Sequence, residues 1–201
     1  HAIGFFRTYR SCLEQAGFDG LLIRAFEEIQ WMREEQISFS ASFDASVYAW
    51  NHGAVHTLKE EQAAFITAPW ELNSRELEPV FEACRREGLL AELIVYGRAP
   101  MMVSAQCITK TVKGCSKCPS LLWMKDRTGA RLPVQNHCAF CYNTILNPLP
   151  VSLHGCADSV KRLAPEGLRL CFTIETGEET KAVLNAFAAE FIRGENAEPP
   201  F

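Results

Sequence analysis

The stretch Gly17-Phe18-Asp19-Gly20-Leu21-Leu22-Ile23-Arg24 decides the fold: a turn, a short aliphatic run without polar alternation, then a segment in which Glu27, Glu28, Trp31, Met32 and Glu34 mark a helix. A strand that loses its polar alternation is buried on both faces, as the strands of parallel βα units are. The pattern recurs. Ile37-Ser38-Phe39-Ser40-Ala41 reads as a second strand, with a short helix over 45–50 behind it. Ala64-Phe65-Ile66-Thr67 is a third, followed by a helix over 74–87 with Ser74 as N-cap and Glu76 in its first turn. Ala91-Glu92-Leu93-Ile94-Val95-Tyr96 is a fourth, ending at Gly97. Strands alternating with helices in this way predict an α/β fold and part of a TIM-like (β/α) barrel.

Residues 99–148 break the rhythm. They hold five cysteines and two turn signals, Lys113-Gly114 and Thr128-Gly129, with no helical pattern, and so read as an irregular cysteine-rich metal-binding insertion. Beyond it, 149–153 and 168–174 read as strands and 156–163 as a helix. A longer helix over 178–193 carries Val183, Leu184, Phe187, Phe191 and Ile192 on one side. The organisation is therefore βα units over 1–98, the cysteine segment over 99–148, final βα units over 149–193 and a loose Pro-rich tail over 194–201. About six strands fall short of the eight that close a barrel.

With 201 residues, 48% of them hydrophobic and 22% charged, the chain can bury a real core. Its 20 Lys+Arg against 24 Asp+Glu exclude a global basic excess while leaving room for a local basic surface. No apolar run reaches the roughly 18 residues of a membrane span, and the opening His1-Ala2-Ile3-Gly4-Phe5-Phe6-Arg7 is not signal-like, so a cytoplasmic protein is expected. Nine cysteines, an odd number, point to metal ligands rather than a disulfide framework. Cys12, Cys84, Cys156 and Cys171 read as buried structural thiols, and Trp31, Trp50, Trp70 and Trp123 as packing residues.

Cys115 and Cys118, then Cys138 and Cys141, form two Cys-x2-Cys turns, with Cys107 upstream. Such a turn converges two thiolates on one ion while its backbone N–H groups face the sulfurs, and two turns complete a tetrahedron. Spacing favours a zinc ribbon, yet looser four-thiolate sets with one distant cysteine hold iron–sulfur clusters.

Val95-Tyr96-Gly97-Arg98-Ala99-Pro100-Met101-Met102-Val103-Ser104-Ala105-Gln106-Cys107, Gly114-Cys115, Lys125-Asp126-Arg127 and 132–143 (LPVQNHCAFCYN) resemble the collagenase-like peptidase family U32. The pattern is that of its long bacterial members of Firmicutes type. Asp19 to Arg24 with Glu27 and Glu28, and Leu168-Arg169-Leu170 with Phe172-Thr173 and Glu175, extend the likeness. The resemblance implies that the chain is the C-terminal part of a barrel whose N-terminal segment, a partner from the same protein, is missing here. It also implies a choice between two activities. Members are called proteases, whereas several relatives hydroxylate RNA bases or a quinone precursor and carry a [4Fe–4S] cluster. By resemblance the ligands are Cys107, Cys115, Cys138 and Cys141, with Cys118 as a possible substitute. Pro100 stands where the wider family often has a cysteine, which keeps zinc as the alternative cofactor.

A protease needs a nucleophile, a base and an oxyanion hole. His137, beside Cys138, and His154, at a strand end, are the candidate bases. Arg24, Tyr96, Arg98 and Arg169 lie in or just after strands, where guanidinium groups suit a small anionic cosubstrate or an RNA phosphate. Ordinary ion pairs to Glu27, Glu28 or Glu175 are the competing reading. The expected function is iron–sulfur-dependent RNA modification, with a genuine protease and a zinc-stabilised binding module as alternatives.

Overall fold

The computed structural model describes residues 2–115, 117–196 and 198–200. The chain divides into two compact units, His1–Ile94 with Asp158–Arg169, and Val95–Ala157 with Leu170–Phe201.

The first unit opens with α1 (Ala2–Gln15) and continues through β1 (Gly20–Ile23), α2 (Phe26–Glu34), β2 (Ser40–Phe43), α3 (His52–Glu60), β3 (Ala63–Thr67) and α4 (Ser74–Glu87). β4 (Leu90–Gly97) leaves this unit after Ile94, and α6 (Ala157–Leu163) with β10 (Gly167–Cys171) contributes to it later. The sheet runs β1-β2-β3-β4-β10, with the first four strands parallel, and curls into a half-barrel. Gly20 is required where β1 meets β2, because a Cβ there would lie 2.6 Å from the Ser40 carbonyl oxygen. Phe43, Val55, Leu58, Ile66, Val80 and Phe81 form the buried core. Removing the Phe81 ring alone would cost about 3–5 kcal/mol.

Three local readings are corrected here. β2 begins at Ser40 rather than Ile37, because the alternation continues to a fully buried Phe43. Residues 45–47 form one 3-10 turn, and the helix that follows starts at His52, capped by the Asn51 side chain, which accepts the Ala54 N–H. Asn73, not Ser74, caps α4: its side chain accepts from Arg75 and Glu76, and the Glu76 carboxylate returns to the Asn73 N–H. The helix ends at Gly88 in the left-handed conformation (φ 64°).

The second unit holds β5 (Pro100–Ser104), α5 (Ile108–Lys113), β6 (Leu121–Lys125), β7 (Arg131–His137), β8 (Tyr142–Leu146), β9 (Val151–Ser152) and α7 (Gly177–Phe187), which continues as a π-helical turn over Ala188–Arg193. The cysteine segment is thus not irregular. It is an antiparallel sheet in the order β5-β8-β7-β6, with a short helix between β5 and β6. The β6–β7 hairpin closes on Asp126, whose Oδ1 accepts from Thr128 and Ala130, with Gly129 at φ 93°. Pro133 falls where β7 runs past β8, whose pairing starts at Val134↔Ile145, so no ladder bond to β8 is lost.

Of the four thiols read as structural, Cys84 is buried and Cys171 half-buried, whereas Cys12 and Cys156 are exposed. Trp31 is buried, while Trp50 and Trp123 are about half exposed (48% and 47%). No helix among the described residues is long and apolar enough to cross a membrane.

Candidate metal centre

β5, α5 and the β7–β8 hairpin position the cysteines. Cys107 follows β5 and caps α5, its Sγ accepting the Lys110 N–H at 3.4 Å. Asn136, on β7, donates to the same sulfur at 3.5 Å. The Lys110 N–H, aided by Asn136 and the Thr109 backbone, lowers the Cys107 pKa and favours its thiolate.

Cys138 ends β7. Its thiol donates to the Cys118 carbonyl and to Asn136 Oδ1, each at 3.1 Å. Desolvation raises its pKa, and the charges of Cys107, Cys115, Cys118 and Cys141 raise it further. Cys138 therefore sits within the field of all four other thiols. Cys141 closes the knuckle in the left-handed conformation (φ 56°), its Sγ 3.8 Å from the Cys138 carbonyl oxygen.

Sequence reasoning quoted Asn136 within a motif without giving it a role. In the structure it is the buried hinge of the site, joining Cys107, Cys138 and the Thr109 hydroxyl (3.1 Å). Directly across the ladder, Asn143 is also fully buried. It donates to the Gln106 carbonyl at 2.7 Å, and its Oδ1 is buried without a hydrogen-bond partner among the described residues. Two buried amides opposite each other on one side of a small sheet are the signal that marks this face.

The donor types suit a group held by thiolates: Cys138 feels the charges of four other thiols of the segment, and one of these, Cys107, is disposed to ionise. Among the described residues no three His, Cys, Asp or Glu side chains stand ready to hold a single metal ion.

The other candidates divide between the units. In the first, Arg24 Nε and Arg169 Nη1 each meet Asp44 at 2.9 Å. Arg169 Nη1 also reaches Thr67 Oγ1 at 3.0 Å and Glu92 Oε1 at 3.1 Å. In the second, Arg98 Nε lies 3.5 Å from Glu175 Oε1, and its Nη1 donates to the carbonyls of Asn147 and Pro148. The Tyr96 hydroxyl meets the same Glu175 oxygen at 3.4 Å. Its pKa is pushed up to about 12, by burial first and then by the Glu175 charge. All three arginines thus engage internal carboxylates. Of these, Glu175 was named as a competing partner, whereas Asp44 and Glu92 come from distant strands.

His137 stacks on Tyr142 (4.4 Å, 21°), with its Nε2 3.2 Å from Thr144 Oγ1. His154 packs edge-on against Phe187, and its Nε2 stands 3.5 Å from Glu190 Oε2, whose carboxylate accepts the Gly155 and Ala157 N–H groups. Beside His137 lies a shallow, open depression of about 340 Å³, lined by Ser120, Leu121, Gln135, Asn136 and Thr173 among others. The Thr173 hydroxyl is buried there without a hydrogen-bond partner among the described residues.

Among known families, the model of peptidase family U32 matches residues 3–148. No curated protein and no solved structure matches the chain.

Proposed function

The chain belongs to peptidase family U32, and from that premise we propose that it is an iron–sulfur protein acting in the hydroxylation of an RNA base. The observation that carries the reading is the Asn136 side chain, which bridges Cys107 and Cys138, with the charges of Cys107, Cys115, Cys118 and Cys141 all felt at Cys138. Cys107, Cys115, Cys138 and Cys141 would hold a [4Fe–4S] cluster, with Cys118 in reserve. When bound, the cluster supplies one-electron chemistry or a Lewis-acidic iron.

The chain's own residues do the rest. The Lys110 N–H of α5 and the Asn136 amide lower the Cys107 pKa and aim its sulfur. Asn136 Oδ1 holds the Cys138 proton until a ligand replaces it. The adjoining shallow depression, with Gln135, His137 and Thr173 at its wall, offers a place for a small substrate group at the surface.

The test is iron and acid-labile sulfide analysis on protein purified anaerobically, with Cys138→Ser as control. Iron with sulfide and a broad visible absorbance, all lost in the control, is the expected result. Stoichiometric zinc without sulfide would overturn the reading and make the segment a structural clamp.

One observation favours a hydrolase instead: the His137 ring nitrogen lies within reach of the Thr144 hydroxyl. That reading requires peptide hydrolysis to vanish in both His137→Ala and Thr144→Val while metal content is unchanged.

A further inference from the structure

Between Glu92 and Asp158 the chain carries seven Lys and Arg residues and a single carboxylate, Asp126. Seven of 20 cations against one of 24 acids is a sharp segregation in a chain whose net charge is -4. Even Asp126 is occupied, its Oδ1 accepting from the Thr128 N–H and hydroxyl and from the Ala130 N–H.

Three of the seven, Lys125, Arg127 and Arg131, belong to the hairpin that carries the exposed Trp123. Trp123↔Pro133 and Lys125↔Arg131 are opposed in the β6–β7 ladder, and side chains alternate with period two. Trp123, Lys125 and Arg131 therefore share one face, with Arg127 on the turn beyond. The Arg131 guanidinium lies 5.0 Å from the Trp123 ring centroid and steadies an indole that remains 47% exposed. Leu121 and Gln135 continue the same face and line the 340 Å³ depression next to the cysteines.

We infer that this face binds single-stranded RNA, with Trp123 stacking a base, Lys125, Arg127 and Arg131 contacting phosphates, and the depression receiving a neighbouring base. The choice of RNA rests on the function proposed above, while the surface itself stands on charge and exposure. A planar aromatic set among cations serves a strand that offers π-faces between phosphates. An acidic peptide would use the cations and leave the indole idle, and an anionic bilayer, although it would take up an indole, offers no planar group to enter the adjoining depression. The acidic remainder of the chain repels a polyanion, which steers it to this segment.

The experiment is fluorescence anisotropy of a labelled single-stranded RNA titrated with the full chain over a series of salt concentrations, with metal content measured on the same preparation. Binding is expected to fall with salt at a log–log slope of about -0.7 per phosphate contacted. Trp123→Ala should weaken it about tenfold or more, and Trp123→Phe should restore most of the loss. Replacing Lys125 and Arg127 together by Glu should lower the salt slope and the affinity, and both lie exposed beyond the core. No binding, no effect of Trp123→Ala, or equal competition by polyglutamate or anionic phosphatidylserine vesicles would each overturn the inference. Iron without RNA binding removes this surface and spares the cluster; RNA binding without iron does the reverse.

Discussion

In the first unit the Asp44 carboxylate is shared between Arg24 and Arg169, while in the second the Cys138 thiol feels the charges of four more thiols. The first cluster closes on itself. Arg169 connects Asp44, just past β2, with Thr67 on β3 and Glu92 on β4, so each charge there has an opposite charge or a hydroxyl at hydrogen-bond distance. The second leaves groups over, with Asn143 Oδ1 and Thr173 Oγ1 buried and unmatched among the described residues. A network of matched charges is a device of the fold, whereas like groups within one another's field, with orphaned acceptors nearby, ask for something from outside.

Of the two clusters, breaking the matched network should give the larger loss of stability. Arg169→Leu removes the cation shared by Asp44 and Glu92, leaving the nearly inaccessible Asp44 with Arg24 alone and Glu92 with only the Thr67 hydroxyl. A fully buried pair broken on one side costs about 3–5 kcal/mol, and the partial exposure of Arg169 lowers the expectation to about 2 kcal/mol. Urea unfolding measures it, and iron per chain should not move. A loss of iron at unchanged stability would show that the two clusters are not the separate devices described here.

The converse variant is Asn136→Leu, similar in volume and unable to hydrogen bond. It removes the bridge between Cys107 and Cys138 at a cost of about 1–2 kcal/mol, because Cys107, Thr109 and Cys138 regain partners less easily than exposed groups would. Its larger effect should be on the bound group, whose retention falls about 10- to 100-fold when an outer partner of a ligand is lost. Chelator competition, read by iron per chain, separates the two effects.

How much of this was legible beforehand follows from where each signal lies. The parallel strands of the first unit announce themselves because runs such as Leu21-Leu22-Ile23 and Leu93-Ile94-Val95 are local. The antiparallel sheet was missed because Leu121-Leu122-Trp123-Met124 is apolar throughout and gives no alternation to read, although β6 is an edge strand with Trp123 exposed. α3 was missed for want of recognising Asn51 as its cap. The five cysteines were visible as a site, and their spacing did not reveal that Asn136 would join two of them. Asp44 and Glu92 could not be foreseen as arginine partners, since they meet Arg169 across 125 and 77 residues. The basic segment was readable from charge alone.

Thiol chemistry sharpens the comparison further. Cys84, buried in the first unit, has its pKa pushed up to about 11 by desolvation, so its thiolate fraction at pH 8 is about one in a thousand. Iodoacetamide should modify it last in the native chain, counted by mass spectrometry of peptides. With the group bound, Cys107, Cys115, Cys138 and Cys141 should be protected together while the exposed Cys12 and Cys156 react. Protection of two of the four would break the proposed ligand set.

The smallest effect concerns the one acid of the basic segment. Hydrogen bonds from the Thr128 side chain, and then from the backbone of Ala130, Thr128 and Gly129, hold Asp126 below the ordinary value of 3.8. A carboxyl whose pKa is depressed on folding contributes stability that is complete above the unfolded value and is lost as pH falls through the folded one. The hairpin should therefore be indifferent to pH from 8 down to about 5 and loosen only below about 3.8. The amide resonances of Thr128 and Ala130, followed by NMR, report it with a midpoint under that value. Asp126→Asn keeps the acceptor and should abolish the acid step while preserving the turn. A midpoint at or above 3.8 would mean that the carboxylate is not committed to its turn, and the segment's lone negative charge would then be available to offset Lys125, Arg127 and Arg131.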